Sequence, residues 1–580
     1  MSRSMFQQSI FINNRVIALC MFEDQIVAAI KQHVSGDVKL EVPPDQKLGD
    51  FAFACFSLAK EFKKSPVQIA AELAQKIKKP AGVEKIVATG PYVNFFLSAS
   101  RVGNKIITDI LTQKKKFGSS NVGKGKKVAI EFSSPNIGKP MHFGHLRGTI
   151  IGNALSLIHE FTGHEVIRLN YLGDWGTQFG ALMYAYTKWG DEKLLKKEPV
   201  KHLYELYVKF NDQKKKNPSL QDFARELFAK LEAGDRHALK LWKEFKDCTL
   251  KEFERLYKLM GVSFDNYNGE AHSAKMVEEA ITLVEKKKLT ELDQGALIVR
   301  LPGYEMPMML RKSDESSTYA SRDIATIMDR VEHIKFDTLI YVVGHEQALH
   351  FQQLFTLARL LGFNKRFVHV ANGLYLSPEG GKMSTRAGKT IFIAGVIDDL
   401  IELAEKIINE KNPALKNKKK IARDVGIGAL FFGDLMNDCS KDVIFDMRRI
   451  LAFEGDTGPY LMYTHARAAS IVDKAKSLKL KPDHEVSAEL LIHPAEIRVI
   501  KLIAGFSTAI NGALLQYKPH ILAQYLLEFG RAFNEFYHAC PCFSEENKDI
   551  KLARLALIEA SRQVIENGLQ LLGISAPHEM

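Results

Sequence analysis

The chain has 580 residues and a mass of 65.3 kDa, more than a single hydrophobic core usually organises, so roughly two to four domains are expected. With 46% hydrophobic, 26% charged and 9% aromatic residues it has an ordinary globular composition, which excludes a wholly disordered chain. Eighty Lys and Arg against 68 Asp and Glu leave a net charge of +12 and a pI near 9.1, a balance that suits a polyanionic partner.

In chain order, residues 1–21 read as an N-terminal extension, with Arg3 and Arg15, no acid before Glu23, and the short apolar run Val16–Phe22. A cytoplasmic chain is expected, with organellar targeting by residues 1–20 left open. An N-terminal domain is expected over 22–120. It is mostly helical from Phe22 to about Lys79, with Phe51, Ala54, Leu58 and Phe62 at helical spacing, and then has a strand Tyr92–Leu97. The basic, glycine-bearing stretch Lys114–Lys127 reads as a linker. Next come a strand Val128–Phe132, the turn Ser133-Ser134-Pro135-Asn136, a helix from about Gly144 to Phe161, and a strand Val166–Tyr171. Strand, loop, helix, strand is the unit of a parallel doubly wound sheet. Helical insertions are expected at about 180–250 and 275–325. A second unit follows, with strand Thr338–Val343, helix Gln347–Leu361 and strand Phe367–Ala371. From about Lys420 nearly everything reads as helix. The fold expected is a multidomain α/β chain: an N-terminal α+β domain, a Rossmann-like doubly wound parallel-sheet domain over 121–395, and an all-α module within 396–580.

Several chemistries drop out. No apolar run approaches the roughly 18 residues that span a bilayer, so no membrane partner is expected. Six cysteines are too sparse for a disulfide scaffold, and Cys540-Pro-Cys542 lacks the spacing of a four-ligand zinc site, so no metal site and no zinc are expected. No G-x-x-x-x-G-K-[ST] string is present, which excludes a P-loop.

Two loops carry the chemistry. Lys139-Pro140-Met141-His142-Phe143-Gly144-His145 lies between a strand end and a helix start, where free N–H groups and the helix dipole attract phosphate. Its two imidazoles can donate to an anion, Gly144 permits close approach, and Lys139 adds a point charge. Gly380-Gly381-Lys382-Met383-Ser384-Thr385-Arg386 follows the last strand of the second unit, and its cations can close on a charged transition state. Either loop alone would be unremarkable, a chance histidine pair or a basic connector. Together, beyond strand ends in the two halves of one sheet, they mark a nucleotide site at the switch point.

His142-Phe143-Gly144-His145 and Lys382-Met383-Ser384-Thr385-Arg386 resemble the HIGH and KMSKS signatures of class I aminoacyl-tRNA synthetases. Glu131–Asn136, Gly173–Gly180, Tyr319-Ala320-Ser321-Arg322-Asp323 and Tyr463-Thr464-His465-Ala466-Arg467 are similar to the arginyl-tRNA synthetases, and the likeness runs from about residue 22 to Met580. The resemblance implies that L-arginine and ATP, carried with Mg²⁺, give arginyl-adenylate and pyrophosphate, and that arginine then passes to the terminal ribose of tRNA(Arg). It implies an adenylate step that needs bound tRNA, and ATP contacts from His142, Gly144, His145, Lys382, Met383 and Ser384. Thr385 stands where the full signature has a second lysine, and Lys139 is assigned the missing charge.

The resemblance also implies a pocket for arginine. A guanidinium is a planar fork of five donors, so a carboxylate is its natural reader. Asp323 and Tyr319, four residues apart, fall at the guanidinium; Glu131 and Asn136 at the α-amino and carboxylate end; Gln347 on the wall. The competing reading makes Asp323 a surface acid paired with Arg322 or Arg330. On the tRNA side, Tyr460, Tyr463 and Met580 match anticodon contacts, and Tyr92 and Asn94 match contacts to the tRNA corner, though tyrosines at helical spacing are also ordinary core. The Lys runs 114–116, 214–216, 286–288 and 418–420 are solvated faces unless they follow a phosphate backbone. A monomer is expected. A cysteinyl or glutamyl synthetase, a small-molecule adenylyltransferase and a non-catalytic RNA-binding paralogue remain as alternatives.

Overall fold

The computed structural model describes residues 17–41, 43, 48–378, 381, 392–481 and 487–580. The chain divides into two compact units. One gathers the residues up to Ser119 with 453–570 and 575–580; the other holds 120–452 and 571–574.

In the first unit, strands β1 (Leu40–Glu41), β2 (Phe51–Ala54), β3 (Val83–Thr89) and β4 (Tyr92–Leu97) form an antiparallel sheet in the order β1-β2-β4-β3. Helix Pro66–Lys76 packs against β3 and β4. Phe51–Ala54 is therefore a strand and not the helix its spacing predicts. So short an apolar run fits either period, and pairing with β4 (Phe51 opposite Phe95, Phe53 opposite Val93) decides the outcome.

The remainder of this unit is helical: Gly458–Ser477, Pro494–Ala504, Phe506–Gln516, His520–Ala539 and most of Lys548–Leu571. Pro494–Gln516 is long and apolar enough to cross a bilayer, but Gly505 divides it and Val499, Ile500, Ile503, Phe506 and Ile510 are buried. The N-terminal segment is bonded to these helices. Asn104 accepts the Ala488 N–H at 2.5 Å and donates to Glu489 at 3.1 Å. Phe117 stacks on Phe506, with centroids 6.1 Å apart and planes 9° from parallel. The Asn567 amide donates to the carbonyls of Lys114 and Phe117 at 3.0 and 3.1 Å.

In the second unit the strands are β5 (Lys127–Glu131), β6 (Glu165–Leu169), β7 (Thr290–Asp293), β8 (Ala296–Val299), β9 (Met308–Arg311), β10 (Thr338–Gly344) and β11 (Arg366–Asn372). A wholly parallel sheet runs β11-β10-β5-β6. Helix Phe143–Phe161 links β5 to β6, and helix Ala348–Leu360 links β10 to β11. The chain thus winds outward in opposite directions from neighbouring β5 and β10, which puts the switch point between them. One face of the sheet is sealed by an apolar cluster that includes Ala129, Leu339, Tyr341, Ile324, Ile327, Leu354 and Phe355.

The insertions are helical over Thr177–Trp189, Pro199–Lys216, Leu220–Glu232 and Arg236–Met260, but β7, β8 and β9 form an antiparallel sheet inside the second, where helix is predicted. The cause is local. Gln294 (φ 49°) and Gly295 (φ 81°) are both left-handed, the two-residue turn that matches hairpin twist. Beyond β11, β12 (Tyr375–Leu376) pairs in parallel with β13 (Val443–Ile444).

Candidate active site

The site lies at the carboxyl ends of β5 and β10. After β5 the backbone turns through Ser133 (φ 73°) and Ser134 (φ 49°), a conformation unfavourable for residues with a side chain. Buried bonds hold it. Ser133 Oγ lies 2.7 Å from the Tyr257 hydroxyl, Thr149 donates to Ser133 at 2.8 Å, and the Asn170 amide donates to Tyr257 at 3.0 Å. Asn136 then makes a parallel bridge to Gly173.

Helix Phe143–Phe161 opens on a reciprocal cap. His142 Nδ1 accepts the Gly144 N–H at 3.1 Å, and His145 Nδ1 accepts the His142 N–H at 3.3 Å. A Cβ at residue 144 would lie 2.9 Å from the His142 ring, so glycine is required for the ring to fold over the helix end. A backbone N–H always carries its proton, so both Nδ1 atoms are lone-pair acceptors and both Nε2 atoms carry hydrogen. Burial, then the charge of Lys139, lowers the His142 pKa; burial, then His142 and Lys139, pushes His145 down to about 3. The two rings, centroids 3.9 Å apart and planes tilted by 33°, are therefore two neutral donors at a helix N-terminus.

Helix Arg147 onward is anchored deep in the unit: the Arg147 guanidinium pairs with Asp434 at 3.1 Å, and Tyr375 donates to the same carboxylate. Lys139 Nζ sits 4.4 Å from the centre of the Tyr207 ring, and among the described residues no carboxylate pairs with it. Lys382, Met383 and Ser384 lie outside the described residues. The first described residue after them, Phe392, makes an antiparallel bridge to His142, and the Ile393 N–H donates to the Met141 carbonyl at 3.1 Å.

The arginine-side residues stand on neighbouring elements. Helix Tyr319–Asp329 starts at a Thr318/Ser321 capping box, so Tyr319 and Asp323 do share a helix face. Asp323 pairs with His350 at 2.5 Å, Arg322 with Glu270 at 3.4 Å, and Arg330 with Glu131 at 2.5 Å. Neither arginine offered by the sequence is the partner of Asp323. Glu131 and Arg330 are buried; the guanidinium lies 5.6 Å from the ring centres of both Tyr171 and Tyr341. Burial raises the Glu131 pKa against the pull of Arg330. Glu270 is pushed up to about 7, chiefly by burial, with Asp174 and Asp323 adding to it and Arg322 opposing. The charge of Asp323 is felt at Glu131, Tyr171, Glu270 and Tyr341, so these groups form one electrostatic cluster. Tyr319 is 72% exposed with Arg322 stacked 5.3 Å from its centre, and Gln347 is exposed at the end of the turn after β10. Glu270, Arg330 and His350 were not singled out from sequence as site residues; they are 27 or more positions from, or unspaced with, the groups they meet, and no motif marks them.

The tRNA-side candidates belong to the first unit. Asn94 is 3% exposed within β4, and Tyr92, half-buried, meets Phe56 edge-on at 5.8 Å. Tyr460 accepts from the Asn534 amide at 2.8 Å. Tyr463 is 40% exposed with Arg467 5.0 Å from its ring centre, and Met580 is half-buried.

Family comparison agrees with this architecture. The class I (R) tRNA synthetase catalytic domain matches residues 106–447, the DALR anticodon binding domain 461–580, and the arginyl tRNA synthetase N-terminal domain 21–97. The arginine–tRNA ligase of Clostridium botulinum (strain 657) is 42% identical over 567 residues, 96% of this chain and 100% of that protein. That of Clostridioides difficile (strain 630) is 42% identical, spanning 93% of this chain and 95% of its own. The solved arginyl-tRNA synthetase of Thermus thermophilus superposes with a TM-score of 0.79 at 26% identity, covering 97% of this chain and 100% of that one. Signature loops, fold and relatives agree: the chain belongs to the arginyl-tRNA synthetase family of class I.

Proposed function

We propose that the protein is an arginine–tRNA ligase that condenses L-arginine with ATP to arginyl-adenylate and then charges tRNA(Arg). The observation that carries this is the pair of neutral histidines capping the helix that follows β5, together with the carboxylate cluster of Glu131 at the end of that strand, Asp323 and Glu270.

In the first step a carboxylate oxygen of arginine attacks the α-phosphorus of ATP, and the bond to the bridging oxygen of pyrophosphate breaks. No proton need be removed, so the protein has to position the reactants and stabilise charge. The Nε2–H groups of His142 and His145 and the helix N–H groups suit the phosphoryl oxygens, and Lys139 supplies a net positive charge. ATP brings its Mg²⁺. Lys382, Met383 and Ser384 are assigned to the departing pyrophosphate; the bridge from Phe392 to His142 supports this, because it returns the chain to the first loop eight residues after Ser384.

For arginine, Asp323 and Glu270 read the guanidinium, with Tyr319 and Gln347 at the entrance. Asn136 and the Glu131–Arg330 pair take the α-amino and carboxylate end, where one group of each charge suits a zwitterion. Tyr92, Tyr460, Tyr463 and Met580 are assigned to the tRNA, Asn94 being buried within β4, and the enzyme is read as a monomer.

Pyrophosphate exchange, run with each amino acid in the presence and absence of tRNA, tests the assignment. Exchange with arginine alone, and only when tRNA is added, is expected. Exchange driven by another amino acid would overturn it.

A pH dependence follows from Glu270. Its pKa is raised, to about 7, so in the free chain the acid is mostly protonated below that pH, and stability from this group is lost as pH rises from the usual carboxylate range through 7. A guanidinium favours the ionised form. The KM for arginine is therefore expected to fall as pH rises from about 6 to 8, and Glu270→Gln should flatten that profile.

A further inference from the structure

The helix Pro199–Lys216 belongs to an insertion and contains none of the signature residues, yet it touches both segments that frame the nucleotide loops. Its own fastening is apolar: Leu203, Leu206 and Phe210 are buried, and Phe210 meets Tyr184 of helix Thr177–Trp189 edge-on at 5.8 Å. Tyr204 and Tyr207, three residues apart, share another face of the helix. The Tyr207 ring carries the Lys139 ammonium 4.4 Å from its centre. Tyr204 meets Phe392 edge-on, with centroids 5.3 Å apart, and Phe392 is the residue bridged to His142.

The type of partner matters. A carboxylate would fix the ammonium as firmly, but it would cancel the field that an anionic transition state needs. An aromatic face holds the cation through its quadrupole and leaves the net charge intact. Lys139, half-buried and with no carboxylate paired to it among the described residues, has the second arrangement.

We infer that Tyr207 is a positioning residue for adenylation: it holds Lys139 beside the His142–His145 cap, while Tyr204 packs on Phe392, the residue bridged to His142. This rests on the assignment of Lys139 to the phosphoryl charge. The test measures tRNA-supported pyrophosphate exchange in the full-length enzyme, comparing Lys139→Ala, Tyr207→Leu, Tyr207→Phe and the Lys139→Ala/Tyr207→Leu double variant. Tyr207→Leu keeps an apolar side chain but removes the ring, and is expected to lower kcat/KM for ATP about tenfold with KM for arginine unchanged. Tyr207→Phe should stay within about twofold of the parent, because the face remains and only the hydroxyl is lost. The double variant should be no worse than Lys139→Ala alone. Losses that multiply in the double variant, or a Tyr207→Leu enzyme as active as the parent while Lys139→Ala is impaired, would overturn the role of Tyr207 and leave that of Lys139 standing. Full activity in Lys139→Ala would overturn the assignment of Lys139 itself, and the inference with it.

Discussion

Asp323→Asn is expected to lower kcat/KM for arginine about a thousandfold while the fold survives. The charge of this carboxylate raises the pKa of its neighbours Glu131, Glu270, Tyr171 and Tyr341. Burial outweighs the pull of Arg330 on Glu131 and of Arg322 on Glu270, so a further guanidinium brought to the cluster relieves it. Removing one partner from a partly desolvated charge pair costs about 3–5 kcal/mol, or about 10²–10⁴ in a rate ratio. The amide can still accept from His350, so packing changes little. Discrimination should also weaken, because a site that satisfies buried polar groups rejects analogues by roughly 10⁴ or more only while those groups are present. Arginine-dependent exchange kinetics, with lysine as the competing substrate, check both statements. A loss under about tenfold would mean that the guanidinium is read elsewhere.

His145→Ala is expected to act on the other substrate, lowering kcat for adenylation by about 10²–10³, the usual loss for one preorganised donor to a transition-state oxygen, about 2.7–4 kcal/mol. Two things go at once. The Nε2–H donor disappears, and the His142 N–H loses its acceptor at 3.3 Å, which frees the neighbouring ring from its tilted contact. The KM for arginine should move little, since the carboxylate cluster is on other elements. Because the imidazole pKa is about 3, the parent enzyme's kcat should show no titration of this group between about pH 5 and 8, and the variant should lose rate uniformly across that range. Single-turnover adenylate formation against pH is the direct measurement.

Much of this was legible in the sequence, and the reason is local. Strands β5, β6, β10 and β11 are short apolar runs bounded by turn residues, and helix Phe143–Phe161 keeps its apolar period throughout, so the parallel sheet and its first loop could be read directly. The failures are tertiary. Phe51–Ala54 became a strand because β4 was available to pair with it, and β7–β9 escaped notice because their turn is Gln-Gly and not a stronger turn pair. In the site, Tyr319 and Asp323 could be placed on one face from their spacing, but the exchange of partners could not be foreseen. Arg322 went to Glu270, Arg330 to Glu131 and His350 to Asp323, contacts that span 52 and 27 positions in the first and last cases. Helical spacing fixes which residues share a face; it says nothing about what arrives opposite that face.

The joining of the two chain ends into one unit bears on how the protein is made. Asn104 waits for Ala488 and Glu489, and the carbonyls of Lys114 and Phe117 wait for Asn567, about 450 residues later. At about 5–20 residues per second, a ribosome needs about 20–90 s to cover that distance. For that interval the nascent N-terminal segment must keep Gly103 and Phe117, which later pack on Ala488, Ile500 and Phe506, away from other apolar surfaces. Meanwhile the residues from 120 to 452 can already be folding. Chaperone demand should therefore concentrate on the earliest-synthesised part of the chain, the reverse of the order in which translation alone would finish it.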